Sequence, residues 1–165
     1  MNRCTFKKIT EEQVEAVRAI YLYYIQNSTA TFHKREISHD EMRDLVIFDN
    51  PKYESYGIYN EGELCGYVSL TQYKIREAFS QTAEVTLYLK PGFEGRGMGT
   101  EAVNFIEARA KKKDFHVLLA LVCGENIGSS ALFEKMGYEK CAHYKEVGYK
   151  FERWLDLISY QKVIS

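Results

Sequence analysis

Val85-Thr86-Leu87-Tyr88-Leu89-Lys90-Pro91-Gly92-Phe93-Glu94-Gly95-Arg96-Gly97-Met98-Gly99-Thr100-Glu101-Ala102 decides how this chain reads. An apolar strand ends at a Pro-Gly break, glycines alternate at 95, 97 and 99, and a helix pattern follows. Glycine adopts backbone angles closed to other residues, so successive N–H groups can turn toward one point with no side chain in the way. The helix that begins there adds the partial positive charge of its N-terminus, and the loop suits an anion such as a pyrophosphate. A plain strand-to-helix turn has no need of three glycines, each of which costs backbone entropy on folding.

The flanking segments supply the rest of the sheet. Ala83 to Leu89 is the strand that feeds the loop, and before it Tyr56 to Tyr59 and Leu64 to Leu70 flank Asn60-Glu61-Gly62-Glu63 as an antiparallel hairpin. Cys4 to Ile9 alternates as a short strand. Thr10 with Gln13 forms a capping box ahead of the helical stripe Val14, Val17, Ile20, Tyr21, Tyr24 and Ile25. Ser38 with Glu41 caps a second helix that should stop near Asp49-Asn50-Pro51, and the polar stretch Asn27 to Phe32 joins the two. After the glycines a helix runs from Gly97 to Lys113, its end marked by Arg109, Lys111, Lys112 and Lys113, where cations are favoured. Val117 to Cys123 is continuously apolar, as expected of a strand covered on both faces in a parallel pair. Ser129 to Met136 makes a short helix ended by Gly137, and Tyr138 to Val147 and Trp154 to Val163 form a last strand pair. The order is β-α-α-β-β-β-α-β-α-β-β, a mixed α/β sheet in a single domain spanning 1–165.

Bulk properties narrow the function classes. A chain of 165 residues with a formal charge of -1 and a pI near 6.4 has no electrostatic footprint for nucleic acid or a membrane surface. Its longest apolar run, Val117 to Cys123, is far too short to span a bilayer. Cys4, Cys65, Cys123 and Cys141 are scattered, and His33, His39, His116 and His143 lack ligand spacing, so reduced thiols and no metal are expected. Nothing at the N-terminus reads as a signal peptide, and a cytoplasmic protein is expected.

Gly97-Met98-Gly99-Thr100-Glu101-Ala102 also satisfies GxGxxG/A, with Glu125 after the next strand where a ribose-binding acid would sit, so a dinucleotide-binding unit competes. Placement weighs against it, because Lys90 to Arg96 separate the strand from the first glycine and the unit lies behind an antiparallel meander. A phosphate-binding Walker loop fails outright, since no Gly-Lys-Ser/Thr follows.

With these residues in view, the chain resembles the GNAT superfamily of N-acetyltransferases. That family's acetyl-CoA loop, Gln/Arg-x-x-Gly-x-Gly/Ala between a strand and a helix, is similar to Glu94-Gly95-Arg96-Gly97-Met98-Gly99. Its second signature, an Asn after the next strand and then an aromatic-ended helix, is similar to Asn126 through Tyr138. Asn27 to Phe32, Thr82-Ala83-Glu84, Leu132 to Tyr138 and Val147 to Asp156 resemble the phosphinothricin acetyltransferase branch. The resemblance implies a GNAT-type acyl-CoA N-acyltransferase fold and acetyl-CoA as co-substrate. It implies acetylation of a small amino-acid-like amine of the phosphinothricin, methionine sulfoximine or methionine sulfone type, by direct attack in a ternary complex. It also implies a homodimer paired through the C-terminal strands, where Tyr149 to Trp154 is rich in large side chains. A protein N-terminal or lysine acetyltransferase, and a non-catalytic acyl-CoA-binding domain, stand as alternatives.

The resemblance assigns the cofactor to Leu87, Tyr88, Leu89, Gly95, Arg96, Gly97, Met98, Gly99, Thr100 and Asn126. Glu84 is the candidate base, because an amine is mostly protonated at neutral pH and burial on an apolar strand lifts a carboxyl toward the working range. A backbone N–H near Leu87 to Leu89 would polarise the thioester carbonyl. Phe32, Lys74, Arg76 and Phe79 are the substrate-binding candidates, Arg76 as a bidentate grip on an anionic group. Two positions depart from the family pattern. Glu94 stands in place of Gln or Arg, and Phe133 in place of the Tyr or His proposed to protonate the departing thiolate.

Overall fold

In the computed structural model, which describes residues 3–165, seven strands form one sheet in the order β1-β2-β3-β4-β5-β7-β6. The strands are β1 (Thr5–Lys8), β2 (Glu54–Asn60), β3 (Glu63–Gln72), β4 (Thr82–Leu89), β5 (Val117–Cys123), β6 (Glu139–Lys150) and β7 (Arg153–Val163). The helices are α1 (Val14–Asn27), α2 (His39–Val46), α3 (Met98–Lys112) and α4 (Ile127–Lys135). Only β4 and β5 run parallel, joined by the crossover helix α3; every other neighbour is antiparallel. The expected element order holds, with short 3-10 turns added at Glu11–Gln13 and Glu77–Phe79.

The strand alternation sends one set of side chains to each helical layer. Ala83 and Val85 of β4, with Leu118, Ala120 and Val122 of β5, pack against Ala102, Val103, Ile106 and Ala110 of α3. On the opposite face, Tyr67 of β3 meets Val14, Val17, Ile20, Tyr21 and Ile25 of α1 and Met42 and Val46 of α2. Each fully buried Ile or Leu of these layers contributes roughly 1.5–3 kcal/mol. The hairpin before β3 turns through Glu61 (φ 52°) and Gly62 (φ 80°), the paired positive angles of a tight two-residue loop.

Two expectations change. The second helix ends at Val46 rather than near Asp49, because Ile47 takes an extended conformation. Strand β5 is not covered on both faces throughout: Leu121 is 41% exposed, since β4 has diverged from β5 at that level.

Candidate active site

Strands β4 and β5 pair only at Thr82↔Val117, Ala83↔Leu118 and Glu84↔Leu119. Beyond Glu84 they part into an opening. The Lys90 N–H donates to the Cys65 carbonyl (2.6 Å), and with Gly66 opposite Leu89 this fixes the phase of the β3–β4 ladder. Hydrogen-bonded pairs alternate in such a ladder, so Glu84, Thr86 and Tyr88 direct their backbone groups at β3. Val85, Leu87 and Leu89 direct theirs into the opening. The free amides expected from Leu87 to Leu89 are therefore those of Leu87 and Leu89. The Leu89 carbonyl is met there by the Tyr24 hydroxyl from α1.

The opening is a cleft of about 870 Å³, walled by β4, the glycine loop, the start of α4 and Ser28, Thr29 and Ala30. Gly95 (φ 76°) and Gly97 (φ 82°) both line it, and Gly97 is the residue before the first turn of α3. An added Cβ would meet nothing at either position, so the positive φ alone requires glycine there. Gly99 differs. It sits inside α3, and a Cβ would lie 3.1 Å from Leu132 of α4, so its smallness lets the two helices approach. Met98 is fully buried beneath the loop and Arg96 lies over the Phe93 ring at 5.0 Å; neither side chain lines the cleft, whereas Thr100 does. Glu94 faces the cleft, yet its Oε2 accepts the Gly92 N–H at 2.9 Å, which turns the carboxylate back on its own loop. Asn126 caps α4, its Oδ1 accepting the Ser129 N–H at 3.1 Å, and the residue lines the cleft.

A second cavity of about 630 Å³ opens between α1, the end of α2 and the sheet. Glu84, Thr86 and Tyr88 line both cavities. Burial alone raises the Glu84 carboxyl above the ordinary carboxylate range, with no charged or hydrogen-bonded partner among the described residues to offset it. Beside it, the Tyr88 ring packs against Tyr21, Tyr24 and Tyr67 at 5.3, 5.2 and 5.6 Å, and burial holds its phenol protonated. Tyr88 Oη donates to the Ala30 carbonyl at 3.2 Å. Phe133 is 4% exposed, edge-on to Tyr138 at 5.0 Å, and brings no proton to the cleft it lines.

The acceptor candidates do not converge on Glu84 within one chain. Lys74, Arg76 and Phe79 lie on the exposed loop after β3, which lines neither cavity. Lys74 covers Tyr73 at 5.2 Å, and Phe79 meets Tyr73 edge-on at 5.8 Å. Phe32 is 39% exposed and rests on β6, where a Cβ at Gly148 would come within 2.8 Å of its ring. Glu125 lines the cleft but is held by Arg153 through two 2.7 Å bonds and takes the Thr29 hydroxyl at 3.0 Å, so three of its acceptor positions are already used within the chain. Tyr24, Leu121 and Lys150 carried no site reading in the sequence. Tyr24 and Leu121 looked like core positions of a helix stripe and an apolar strand, and only the splay of β4 from β5 turns them toward the cleft.

No helix among the described residues is long and apolar enough to cross a membrane, and no group of three His, Cys, Asp or Glu side chains gathers as a metal site needs.

Residues 19–138 match the Acetyltransferase (GNAT) family. The chain is 28% identical to a phosphinothricin N-acetyltransferase of Alcaligenes faecalis over 98% of its own length and 83% of that protein. It is 30% identical to an L-methionine sulfoximine/L-methionine sulfone acetyltransferase of Pseudomonas aeruginosa, covering 86% of this chain and 83% of the relative. Among solved structures it is similar to a phosphinothricin acetyltransferase from Sinorhizobium meliloti in complex with acetyl-CoA, with TM-score 0.92, 25% identity and coverage of 97% and 88%.

Proposed function

This chain belongs to the Acetyltransferase (GNAT) family, and we propose that it moves the acetyl group of acetyl-CoA to the amine of a small amino-acid-like acceptor in a ternary complex. The observation that carries this reading is Glu84, an unpartnered half-buried carboxylate shared by the cofactor cleft and the second cavity. The names of the relatives, which act on phosphinothricin and on methionine sulfoximine or sulfone, support the acceptor class.

Glu84 takes a proton from the acceptor ammonium, directly or through water, and the freed nitrogen attacks the thioester carbonyl. The Leu87 or Leu89 N–H stabilises the developing oxyanion, a contribution of about 3 kcal/mol in comparable sites. Collapse expels the CoA thiolate without an acid from Phe133, and the second proton of the attacking nitrogen passes to that thiolate or to water. Amides of the Gly95 to Thr100 loop and the α3 N-terminus take the pyrophosphate. We further propose a cytoplasmic homodimer, paired through the β6–β7 hairpin.

A second reading draws on Asp44 and Asp49, which line the second cavity together with Glu84 while no Lys or Arg does. It is a cationic amine such as a polyamine or a lysine side chain. Thiol release from acetyl-CoA, measured with phosphinothricin, methionine sulfoximine, methionine sulfone, spermidine and a lysine peptide, tests both. Faster turnover of the amino acids supports the first reading, faster turnover of the cations replaces it, and no turnover of any acceptor overturns the enzyme reading.

A further inference from the structure

Lys150, at the end of β6, is 2% exposed. A buried ammonium is ordinarily held by a carboxylate, because an isolated charge loses its hydration without compensation. Lys150 instead donates to two backbone carbonyls, Ser28 at 2.7 Å and Thr31 at 2.9 Å, and stands 5.1 Å from the centre of the Phe151 ring. Burial lowers its pKa accordingly. Both carbonyls belong to the loop whose Ser28, Thr29 and Ala30 wall the cofactor cleft.

Two residues earlier on the same face of β6, Gly148 receives the ring of Phe32 from that loop. Arg153 of β7 orients Glu125, which accepts the Thr29 hydroxyl. The β6–β7 hairpin therefore engages the loop at Ser28, Thr31 and Phe32 directly and at Thr29 through Glu125. From the other side Tyr88 donates to the Ala30 carbonyl and Tyr21 bonds the Thr31 hydroxyl at 2.6 Å. The segment has no ladder or helix of its own, so its buried carbonyls need donors from elsewhere. An ammonium with three donors supplies two of them from one atom.

We propose that Gly148 and Lys150 are positioning residues for the acceptor: together they form a seat on β6 that docks the Ser28–Phe32 loop and thereby sets the width of the passage to Glu84. The proposal rests on the acetyl-transfer reading above for its kinetic consequence, and on geometry alone for the docking. Gly148 and Lys150 touch neither acceptor nor cofactor in this role. They act through Phe32, Thr31 and the loop backbone.

Lys150→Met removes both hydrogen bonds while keeping an unbranched side chain of four of the five atoms, and Gly148→Ala drives a methyl into the Phe32 ring without changing any charge. Each is expected to raise the acceptor KM roughly tenfold while kcat and the Kd for CoA stay within about threefold, the split expected when only binding geometry is lost. Amide hydrogen exchange over residues 28–32 should rise in Lys150→Met, with the α3 amides unchanged. In a Phe32→Ala background Gly148→Ala should have no further effect, because the ring it displaces is gone.

Unchanged KM in both single variants overturns the proposal, and so does an equal cost of Gly148→Ala with and without Phe32. If Lys150→Met fails to fold, the Gly148 and Phe32 cycle decides alone. If the wild-type protein acetylates no small amine, the acceptor reading falls, and exchange over 28–32 still decides the docking: no difference in Gly148→Ala or Lys150→Met overturns it.

Discussion

Glu84 costs the fold something and, in the proposed mechanism, serves as the base, and both effects can be read from one substitution. Its carboxyl is raised by burial, so at neutral pH the folded state holds a charge that the unfolded chain would hydrate better. A raised carboxyl favours the folded state fully only below the unfolded pKa, and this advantage is lost as pH rises through the folded value. Glu84→Gln should therefore melt at a higher temperature than the wild type near pH 7, with the gap closing as pH falls through the raised folded value to the usual carboxylate range. The same variant should turn over roughly a hundredfold more slowly, the usual scale for a lost general base, and the deficit should shrink at high pH where more amine is already neutral. Calorimetric melting across pH and a pH–rate profile check the two halves. A wild-type rate near pH 7 removes Glu84 from the mechanism. A lower melting temperature at that pH refutes the account of its burial.

The glycine loop joins sequence to structure at the level of elements, and its three glycines answer two different demands. Gly95 and Gly97 satisfy positive φ, while Gly99 satisfies the contact between α3 and Leu132 of α4. Gly99→Val should thus weaken CoA binding by about tenfold or more, worth about 1.4 kcal/mol, by lifting α3 away from α4 as well as by crowding the cleft. Isothermal calorimetry with CoA measures this, and unchanged affinity rejects it. The loop and its flanking strand and helix were legible in the sequence because glycine spacing, the Pro-Gly break and helix periodicity are local signals. The hairpin at Glu61-Gly62 was legible for the same reason. The second cavity and the exposed, unconverged position of Arg76 were not, since the cavity depends on how α1 and the end of α2 pack over β3 and β4, and the Arg76 loop lies outside both cavities. Lys150 was hidden for a related reason: a lysine near a strand end reads as solvated until the segment packed over it is known.

Across the whole molecule the largest unfilled demand lies on the β6–β7 hairpin. Tyr144, Val147, Tyr149, Phe151 and Trp154 are 53%, 59%, 45%, 46% and 62% exposed, and Tyr149 and Trp154 pack together at 4.8 Å. Scattered exposed apolar residues need no explanation, but this many on one hairpin form a patch that suits a partner. Strand β6 is also the sheet edge, yet its register shifts between Lys140 and Ala142 and again between Tyr144 and Gly148. Such bulges discourage strand-to-strand addition, so a second copy is expected to cover the aromatic face of the hairpin instead of extending the sheet. Trp154→Glu should convert the proposed dimer to a monomer in light scattering at micromolar concentration, without unfolding it, because Trp154 is largely exposed and contributes little to the monomer's own core. Because the same hairpin seats the Ser28–Phe32 loop, the monomer should also show a raised acceptor KM at unchanged CoA affinity. A wild-type protein that scatters as a monomer contradicts the pairing. A monomeric Trp154→Glu variant with wild-type acceptor KM separates the pairing from the seat and leaves the hairpin's two faces independent.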